Sequence, residues 1–259
     1  MVVDKTNALL QVKGITVRFG GITALDNVSF DLPRDKVCGL IGPNGAGKTT
    51  LFNCLSRLYD YQEGDLLFEG QSITKTPVHQ MTNIGIGRTF QNLAMFKTMT
   101  VQQNVMVGAH SKSSTGFIGG LLPNKKTRLE EQDLRDRADV LIERLKLSDV
   151  AHRAVGDLPF GYQKRVEFAR ALAAQPTLLL LDEPAAGLNH EELDDLAALI
   201  RLVKDEMGIS VLLVEHHMQL VMAVSDWIVA LNFGKKIAEG TPAEIQKHPE
   251  VIRAYLGGD

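Results

Sequence analysis

Gly42-Pro43-Asn44-Gly45-Ala46-Gly47-Lys48-Thr49 follows the apolar stretch 37–41 and precedes the helix-like run 50–55. The eight residues match the phosphate-loop pattern, in which glycines turn backbone N–H groups toward phosphates, a lysine reaches the β- and γ-phosphates, and a hydroxyl faces Mg²⁺. The positive end of the following helix would face the same anion. A glycine-rich loop without a ligand is the alternative, and the complete pattern between a strand and a helix disfavours it. The sequence therefore predicts a nucleoside-triphosphate site formed by Gly42, Asn44, Gly45, Ala46, Gly47, Lys48, Thr49 and Thr50.

Length and composition set broad limits on the protein. With 259 residues, 44% hydrophobic and 23% charged, it has the make-up of an ordinary soluble globular protein. The length suits one large α/β domain or a core with an appended subdomain. The net charge of -3 provides no general attraction to nucleic acid or to anionic lipid. We therefore expect no nucleic-acid partner.

The sequence shows no targeting or membrane-spanning pattern. Residues 1–7 lack a basic stretch followed by an apolar core, and no run approaches the roughly 18 apolar residues of a membrane span. We expect a cytosolic protein that contacts a membrane through a partner. Cys38 and Cys54 flank the phosphate loop and are expected to pack as small apolar side chains rather than to form a disulfide.

The order of predicted elements favours a mainly parallel sheet. Aliphatic and β-branched segments predict strands at 9–19, 28–32, 66–69, 177–181, 210–214, 227–231 and 234–239. Helical spacing predicts helices at 101–108, 128–147 and 191–206, another near Met218, and short ones from Pro242 and Pro249. The alternation after residue 177 is typical of a parallel sheet with crossover helices. Residues 92–158 are predicted to form a helical insertion, with an irregular segment at 110–123.

Two adjacent carboxylates follow the apolar run 178–181. At the carboxyl end of a parallel strand, Asp182 is placed to hold Mg²⁺ through water. Glu183 points to another face and is placed to polarise the water that attacks the γ-phosphate. The alternative is a solvated acidic turn, which the upstream phosphate loop disfavours.

Over nearly its whole length the chain resembles the ATP-binding subunits of ABC transporters, because further motifs accompany the phosphate loop and the two carboxylates. Gln91, in Arg88-Thr89-Phe90-Gln91, is similar to the Q-loop glutamine, which in that family reaches the Mg²⁺ and water side of the site. His216 follows the predicted strand 210–214 and resembles the switch histidine that contacts the γ-phosphate. The resemblance implies ATP and Mg²⁺ as cofactors. It implies as catalytic residues Glu183, His216, Gln91 and Lys48, and as metal ligands Thr49, Gln91 and Asp182.

The same resemblance implies the fold and its organisation. The fold would be that of a P-loop NTPase of the ABC ATPase type, an α/β protein with a mainly parallel sheet core. An N-terminal antiparallel β subdomain and a helical insertion would complete one ABC ATPase domain, 1–259. Residues 1–91 and 159–259 would form the nucleotide-binding core, and 92–158 the helical subdomain.

Residues 158–165 stand where the family has its signature, usually Leu-Ser-Gly-Gly-Gln, whose serine donates to the γ-phosphate of ATP held by the opposite subunit. The signature residues here are Pro159, Phe160, Gly161, Tyr162 and Gln163. Pro159 has neither a hydroxyl nor an N–H, and losing a hydrogen bond to a charged group costs about 1.5–3 kcal/mol. Gly161 and the helix dipole remain to attract the anion. We expect a composite site weaker than one with the consensus signature, unless the partner compensates.

Two further positions have a structural alternative. Asn189 lies at the family's D-loop, where an aspartate is usual, and it either bonds across a dimer or caps the helix near Glu191; the two roles are compatible. Phe19 resembles the aromatic residue that stacks on adenine, and the alternative is a core aromatic of a strand. A stacked ring does not read the base, so we expect modest nucleotide selectivity.

Several stretches resemble one branch, the LivG-type ATPases of branched-chain amino acid importers: residues 19–21, 85–91, 184–189 and 239–257. This resemblance implies a bacterial importer of branched-chain or other hydrophobic amino acids, with two transmembrane permease subunits and an extracytoplasmic solute-binding protein. The chain would pair with itself or with a second ABC ATPase, peripheral on the cytoplasmic face of the inner or plasma membrane. Urea, amide and lipopolysaccharide systems use similar ATPases, so the residues leave the transported substrate open.

The insertion contains an apolar group that is either a docking element for a membrane subunit or part of the insertion's own packing. Its members are Phe117, Ile118, Leu121 and Leu122.

Two other classes of protein are disfavoured. Non-transport ABC proteins usually carry two cassettes or a long coiled coil, and this sequence has neither. A regulatory module that binds nucleotide without hydrolysis would not need Glu183 and His216.

Overall fold

The computed structural model describes residues 8–89, 95–109 and 125–256. Contacts within the chain divide it into two compact units, Met1–Met81 with Leu180–Asp259, and Thr82–Leu179. In chain order, the strands are β1 (Ala8–Phe19), β2 (Ile22–Pro33), β3 (Val37–Ile41), β4 (Glu63–Phe68), β5 (Gln71–Ser72), β6 (Ile86–Arg88), β7 (Leu178–Asp182), β8 (Ser210–Val214), β9 (Trp227–Asn232) and β10 (Lys235–Gly240). The helices are α1 (Lys48–Leu55), α2 (Val101–Ala109), α3 (Lys125–Arg144), α4 (Phe160–Leu172), α5 (His190–Asp205), α6 (Met218–Val224), α7 (Pro242–Ile245) and α8 (Pro249–Leu256).

The unit formed by 1–81 and 180–259 contains an antiparallel sheet in the order β2-β1-β4-β5. In β2, Val28, Phe30 and Leu32 alternate with more exposed residues and are buried, as in a strand with one face on the core. The sequence predicts that this strand begins at residue 28, since the preceding Asp26 and Asn27 are residue types that commonly occupy turns. That prediction was wrong, because the strand begins at Ile22. Asn27 instead adopts a φ of 53° inside the strand, at a shift in its register with β1.

The same unit contains a second sheet whose strands follow the order β10-β9-β3-β8-β7. β3 pairs in parallel with β8 and with β9, whereas β10 is antiparallel to β9. All residues of β3, β7 and β8 are buried, which explains why their sequences are continuous apolar runs. The predicted mainly parallel core and N-terminal antiparallel β-structure are confirmed.

The edge at which β3 and β8 end also receives the loop after β7. Strands β3 and β8 run in parallel, so their carboxyl ends lie at one edge of the sheet. The N–H of Glu183 donates to the carbonyl oxygen of Val214 at 2.8 Å, which brings the loop after β7 to the end of β8. Three loops with chemically active residues thus meet at this edge.

The 82–179 unit is mostly helical. α2 packs against α3 and α4, and the helical spacing in α3 buries Ala138, Leu141 and Ile142. At Gly108 of α2 a Cβ would lie 1.9 Å from the carbonyl oxygen of Arg170 in α4, so this close crossing requires glycine. The contacts give this unit wider bounds than the predicted insertion, 92–158. The assignment of 1–91 and 159–259 to a nucleotide-binding core stays a prediction.

The two cysteines behave as expected from the sequence. Cys38 and Cys54 are free and fully buried, so the prediction that they pack as small apolar side chains is confirmed. Burial raises the pKa of each thiol to about 12, and Glu239 adds to the effect at Cys38.

Some predicted features lie outside the described residues. These are Gln91, the irregular segment 110–123 and, within it, the apolar group Phe117, Ile118, Leu121 and Leu122. Among the helices of the described ranges, none is long and apolar enough to cross a membrane.

Candidate functional site

The phosphate loop leads from the buried strand β3 into α1, and two of its glycines are sterically required. A Cβ on Gly42 would lie 2.3 Å from the carbonyl oxygen of Leu231. A Cβ on Gly47, whose φ is 98°, would lie 2.7 Å from the carbonyl oxygen of Ala24. No side chain of the described residues caps α1 at Gly47. Within the described ranges, the start of α1 therefore has no capping side chain to compete with an anion for its first N–H groups.

Lys48 lies folded against the loop that precedes it and is 7% exposed. Its Nζ donates to the carbonyl oxygens of Gly42 at 2.7 Å and of Pro43 at 3.0 Å. Burial lowers the pKa of Lys48, and the nearby Glu183 carboxylate partly opposes that shift. The ammonium is thus held in place beside the loop, where it can neutralise phosphate charge.

A cavity of about 400 Å³ opens over the phosphate loop. This volume falls in the range of about 300–1,000 Å³ that small-molecule pockets occupy. From the predicted nucleotide-binding set it is lined by Asn44, Gly45, Ala46, Gly47, Lys48, Thr49 and Thr50, and Glu183 joins them. Ile22, Thr23, Ala24, Phe233 and Gly234 complete the lining. The structure therefore brings the loop and the proposed water-activating carboxylate to one cavity.

Asp182 and Glu183 are neighbours with different surroundings. Asp182 ends β7 and is 4% exposed, whereas the Glu183 side chain is 26% exposed and faces the cavity. Glu183 has a φ of 45°, a left-handed conformation that is uncommon outside glycine and that clusters at functional sites. The pair is therefore not a solvated acidic turn.

His216 lies beside Glu183. Its Nδ1 is 3.9 Å from Glu183 Oε1 and 3.8 Å from Glu215 Oε2, and its side chain is 52% exposed. The rings of His216 and His217 are tilted against each other, with centroids 4.6 Å apart. Potential metal-ligand atoms of Glu215, His216 and His217 lie within 4.8 Å of one another.

Glu215 was missed in the sequence. It is fully buried, and its Oε1 accepts a hydrogen bond from the N–H of Ala185 at 2.7 Å. Its Oε2 accepts from the N–H groups of His216 at 2.9 Å and His217 at 3.1 Å. A sequence signal exists: Glu215 directly follows the buried strand β8, at the sheet edge where functional residues gather.

The turn between β9 and β10 was also missed as part of the site. Phe233 and Gly234 have φ values of 44° and 75°, as in a two-residue hairpin turn. Gly234 donates its N–H to the carbonyl oxygen of Ala46 at 3.0 Å, and its own carbonyl oxygen accepts the N–H of Asp26 at 2.8 Å. The turn is therefore bonded to the phosphate loop. Phe233 is 84% exposed and lines the cavity. The sequence does indicate this turn, because Gly234 lies between two runs with a β-strand pattern.

The structure tests the structural alternatives for Asn189 and Phe19, a helix cap and a core aromatic. Asn189 forms a capping box with Glu192: Oδ1 accepts the N–H of Glu192 at 3.0 Å, and the Glu192 carboxylate accepts the N–H of Asn189 at 2.9 Å. Asn189 thus caps α5, and a bond across a dimer stays a prediction. Phe19 is 49% exposed and meets Tyr59 edge to face, so it is not a core aromatic; its contact with adenine stays a prediction.

The signature residues lie in the 82–179 unit, where Pro159 is the N-cap of α4 and Gly161 lies in its first turn. Gln163 donates from Nε2 to the carbonyl oxygen of Leu158 at 2.8 Å. The rings of Phe160 and Tyr162 lie 5.7 and 5.8 Å from a lysine ammonium and an arginine guanidinium of the same helix. Their contact with a nucleotide stays a prediction.

Two family descriptions match the chain. The one described as ABC transporter matches residues 25–186. The one described as branched-chain amino acid ATP-binding cassette transporter matches residues 235–259.

Full-length relatives and solved structures agree with these matches. The chain is 44% identical to the high-affinity branched-chain amino acid transport ATP-binding protein BraF of Pseudomonas aeruginosa, over 96% of this chain and 98% of the relative. It is 43% identical to LivG of Escherichia coli, which carries the same description, with the same coverage. A crystal structure of a nucleotide-free ATP-binding cassette from an ABC transporter is 31% identical, with a TM-score of 0.83 over 97% of this chain and 100% of that chain. The ADP conformation of an ATP-binding cassette is 30% identical, with a TM-score of 0.84 over 97% and 99%.

Proposed function

The chain belongs to the ABC transporter family of ATP-binding proteins, which hydrolyse ATP, and we propose that it powers an importer of branched-chain amino acids. The transport class is supported by similarity along the whole chain to BraF and LivG and by the separate C-terminal match. The observation that carries the catalytic part is the single cavity lined by the phosphate loop, Lys48 and Glu183.

The triphosphate is bound at the start of α1. Backbone N–H groups of Gly45 and Gly47 face the phosphates, while the N–H of Ala46 donates to the carbonyl oxygen of Pro43 at 3.1 Å and holds the turn of the loop. The Lys48 ammonium neutralises the β- and γ-phosphates. Lys48 already bonds to the loop through two carbonyl oxygens, so little reorganisation is required when phosphate arrives. Phe19, exposed at the end of β1, stacks on adenine without reading its hydrogen-bonding edge.

Mg²⁺ fits the oxygen donors beside the loop. Thr49 lines the cavity, and Asp182 ends β7, which is separated from β3 by β8 in the same sheet. Hydroxyl and carboxylate oxygens are the ligands that this ion prefers. When bound by these residues, the ion would neutralise part of the phosphate charge.

Hydrolysis depends on Glu183 and His216. The Glu183 carboxylate polarises the attacking water and takes up its proton, a role that requires a partly solvated base facing the γ-phosphate. His216 is assigned the contact with the γ-phosphate and the orientation of the base; the support for this role is the 3.9 Å between its Nδ1 and the Glu183 carboxylate. The left-handed backbone of Glu183 and its N–H bond to Val214 fix the main chain from which the carboxylate projects before substrate arrives.

The chain acts in a dimer of ATPase subunits, either with itself or with a second ABC ATPase. The N-terminal end of α4, which begins after Pro159, faces ATP held by the opposite subunit, and Asn189 contributes across the same interface. Two permease subunits and an extracytoplasmic solute-binding protein complete the importer, with the ATPases peripheral on the cytoplasmic face of the membrane. Since Pro159 donates no hydrogen bond, the composite site is weaker than one with a serine there.

Uptake by the bacterium that carries this chain tests the proposal. Cells without the gene should lose high-affinity leucine uptake, which the wild-type chain restores and Glu183→Gln does not. Glu191→Gln, a change in an exposed carboxylate of the first turn of α5, is the matched control and should restore uptake. Undiminished leucine uptake in the deletion strain, with loss of uptake of another solute, would reject branched-chain amino acids as the substrate.

A further inference from the structure

The carboxylate of Glu215 joins two loops of the site. One loop follows β7 and contains Glu183 and Ala185; the other follows β8 and contains His216 and His217. Glu215 Oε1 accepts from Ala185 at 2.7 Å, and Oε2 accepts from His216 at 2.9 Å and His217 at 3.1 Å. One side chain therefore satisfies three backbone donors from both sides of the catalytic pair.

The burial of Glu215 makes this arrangement specific. The residue is 0% exposed, and a buried carboxylate is costly unless hydrogen bonds compensate for the lost water. Here the compensation comes from main-chain N–H groups, which cannot move without moving the loops themselves. The bonds to charged acceptors are also stronger than bonds between neutral groups.

We propose that Glu215 is a positioning residue that fixes the His216 imidazole relative to the Glu183 carboxylate during ATP hydrolysis. It does so through the main chain: Ala185 is two residues from Glu183, and the N–H of His216 is bonded directly. These hydrogen bonds of Glu215 would set the 3.9 Å separation of His216 Nδ1 and Glu183 Oε1. The inference rests on the proposed catalytic roles of Glu183 and His216.

Glu215→Gln tests this positioning role with almost no change in the shape of the side chain. An amide has one accepting oxygen, and its NH₂ group must face at least one of the backbone donors. If the amide oxygen stays with His216 and His217, the bond to Ala185 is lost. If the oxygen turns to Ala185, the loop after β8 loses its bonds to residue 215. Either orientation separates the two loops, and a misplacement of about 1 Å is enough to cost about 100-fold in rate.

The matched control is Asp226→Asn. Asp226 Oδ2 also accepts a backbone N–H, that of Val37 at 2.9 Å, but Val37 starts β3 and the phosphate loop follows its end. In Asp226→Asn the amide oxygen can still accept the Val37 N–H, and what is lost is the charge that pairs with Lys36 and Lys204. The control therefore neutralises a carboxylate at the opposite side of the same sheet without releasing a loop of the site. Thermal unfolding of both variants shows how much of any loss comes from stability alone.

The measurement is steady-state ATP hydrolysis by the assembled importer, for wild type, Glu215→Gln, His216→Ala and the double variant. We expect Glu215→Gln to lower kcat about 10- to 100-fold, with the KM for ATP within about twofold, because the hydrogen bonds of Glu215 go to the loops after β7 and β8. In the His216→Ala background the same change should cost less than about threefold, because residues that act as a unit are not additive. Asp226→Asn should keep kcat within about twofold of wild type.

Several results would overturn the inference. They are an unchanged kcat in Glu215→Gln, a loss equal to that of Asp226→Asn, or a loss that multiplies fully with that of His216→Ala. If Glu215→Gln does not fold, Glu215→Asp replaces it: the shorter side chain keeps the buried charge but cannot span both loops, and the same outcomes apply. Failure of the proposed function is distinct, because the wild-type assembly would then show no Mg²⁺-dependent hydrolysis.

Discussion

Replacing Glu183 by Gln removes one negative charge from the cavity and leaves the backbone in place. The N–H of Glu183 is bonded to Val214 at 2.8 Å, and the φ of 45° is a property of the loop, so an isosteric amide retains the direction of the side chain. The amide cannot accept the proton of the attacking water. ATP affinity should not fall, because the lost carboxylate faces the same cavity as the phosphates and repels them.

The size of the effect follows from the role assigned to Glu183. A positioned general base contributes about 10²–10⁴ to the rate. Each factor of ten in kcat corresponds to about 1.36 kcal/mol, so the activation free energy should rise by about 2.7–5.4 kcal/mol. Nearby Lys48 reports on the same change: the Glu183 charge raises the pKa of Lys48, so the pKa of Lys48 should be lower in the variant.

The assay is release of inorganic phosphate by the assembled importer, combined with equilibrium binding of ATP to the same preparation. Glu191→Gln, a neutralised carboxylate in the first turn of α5, serves as the control and should keep kcat within about twofold of wild type. An unchanged kcat in Glu183→Gln would refute the assignment of the general base. A loss of ATP binding equal to the loss of rate would refute it as well, since the residue would then act in binding.

Three other changes have outcomes set by the structure. Asn189→Ala removes both bonds of the α5 capping box and should cost about 1 kcal/mol, or about 2–4 °C in the unfolding temperature by calorimetry, whereas Asn189→Asp should retain the cap. Pro159→Ser supplies a donor at the N-cap of α4 and should raise ATP turnover of the assembled importer, a bond worth about 1.5–3 kcal/mol; equal turnover would remove the argument from the missing hydroxyl. Cys38 and Cys54, with pKa values of about 12, should resist iodoacetamide at pH 8 when folded and react in urea. Because their pKa in the folded state is above the ordinary 9.0, their contribution to stability should be complete below pH 9 and lost as pH rises toward 12.

The parts of the site that the sequence predicted are those with a local pattern. The phosphate loop has a fixed spacing, and Asp182 with Glu183 directly follows a buried apolar run, so both could be located without coordinates. The parallel sheet was predictable for the same reason, because its buried strands are continuous apolar segments.

The parts that were missed depend on contacts between distant residues. Glu215 bonds to Ala185, thirty positions earlier in the chain, and no spacing rule connects a side chain with a backbone N–H at that separation. The turn at Phe233 reaches the phosphate loop only through the tertiary bond between Gly234 and Ala46. The start of β2 was misjudged because Asn27 takes a left-handed conformation inside a strand, which its residue type alone associates with turns.

Binding of ATP to the purified protein, alone and assembled with its cognate subunits, tests the central claim most directly. Titration with and without Mg²⁺ should show saturable, Mg²⁺-dependent binding by the wild type. Lys48→Ala should weaken it by at least about tenfold, since hydrogen bonds to charged groups contribute about 1.5–3 kcal/mol. Lys235→Ala, which removes an exposed lysine of β10 paired with Asp26, should bind as the wild type does. No Mg²⁺-dependent binding in either state, or equal binding by Lys48→Ala and wild type, would contradict a triphosphate site at this loop.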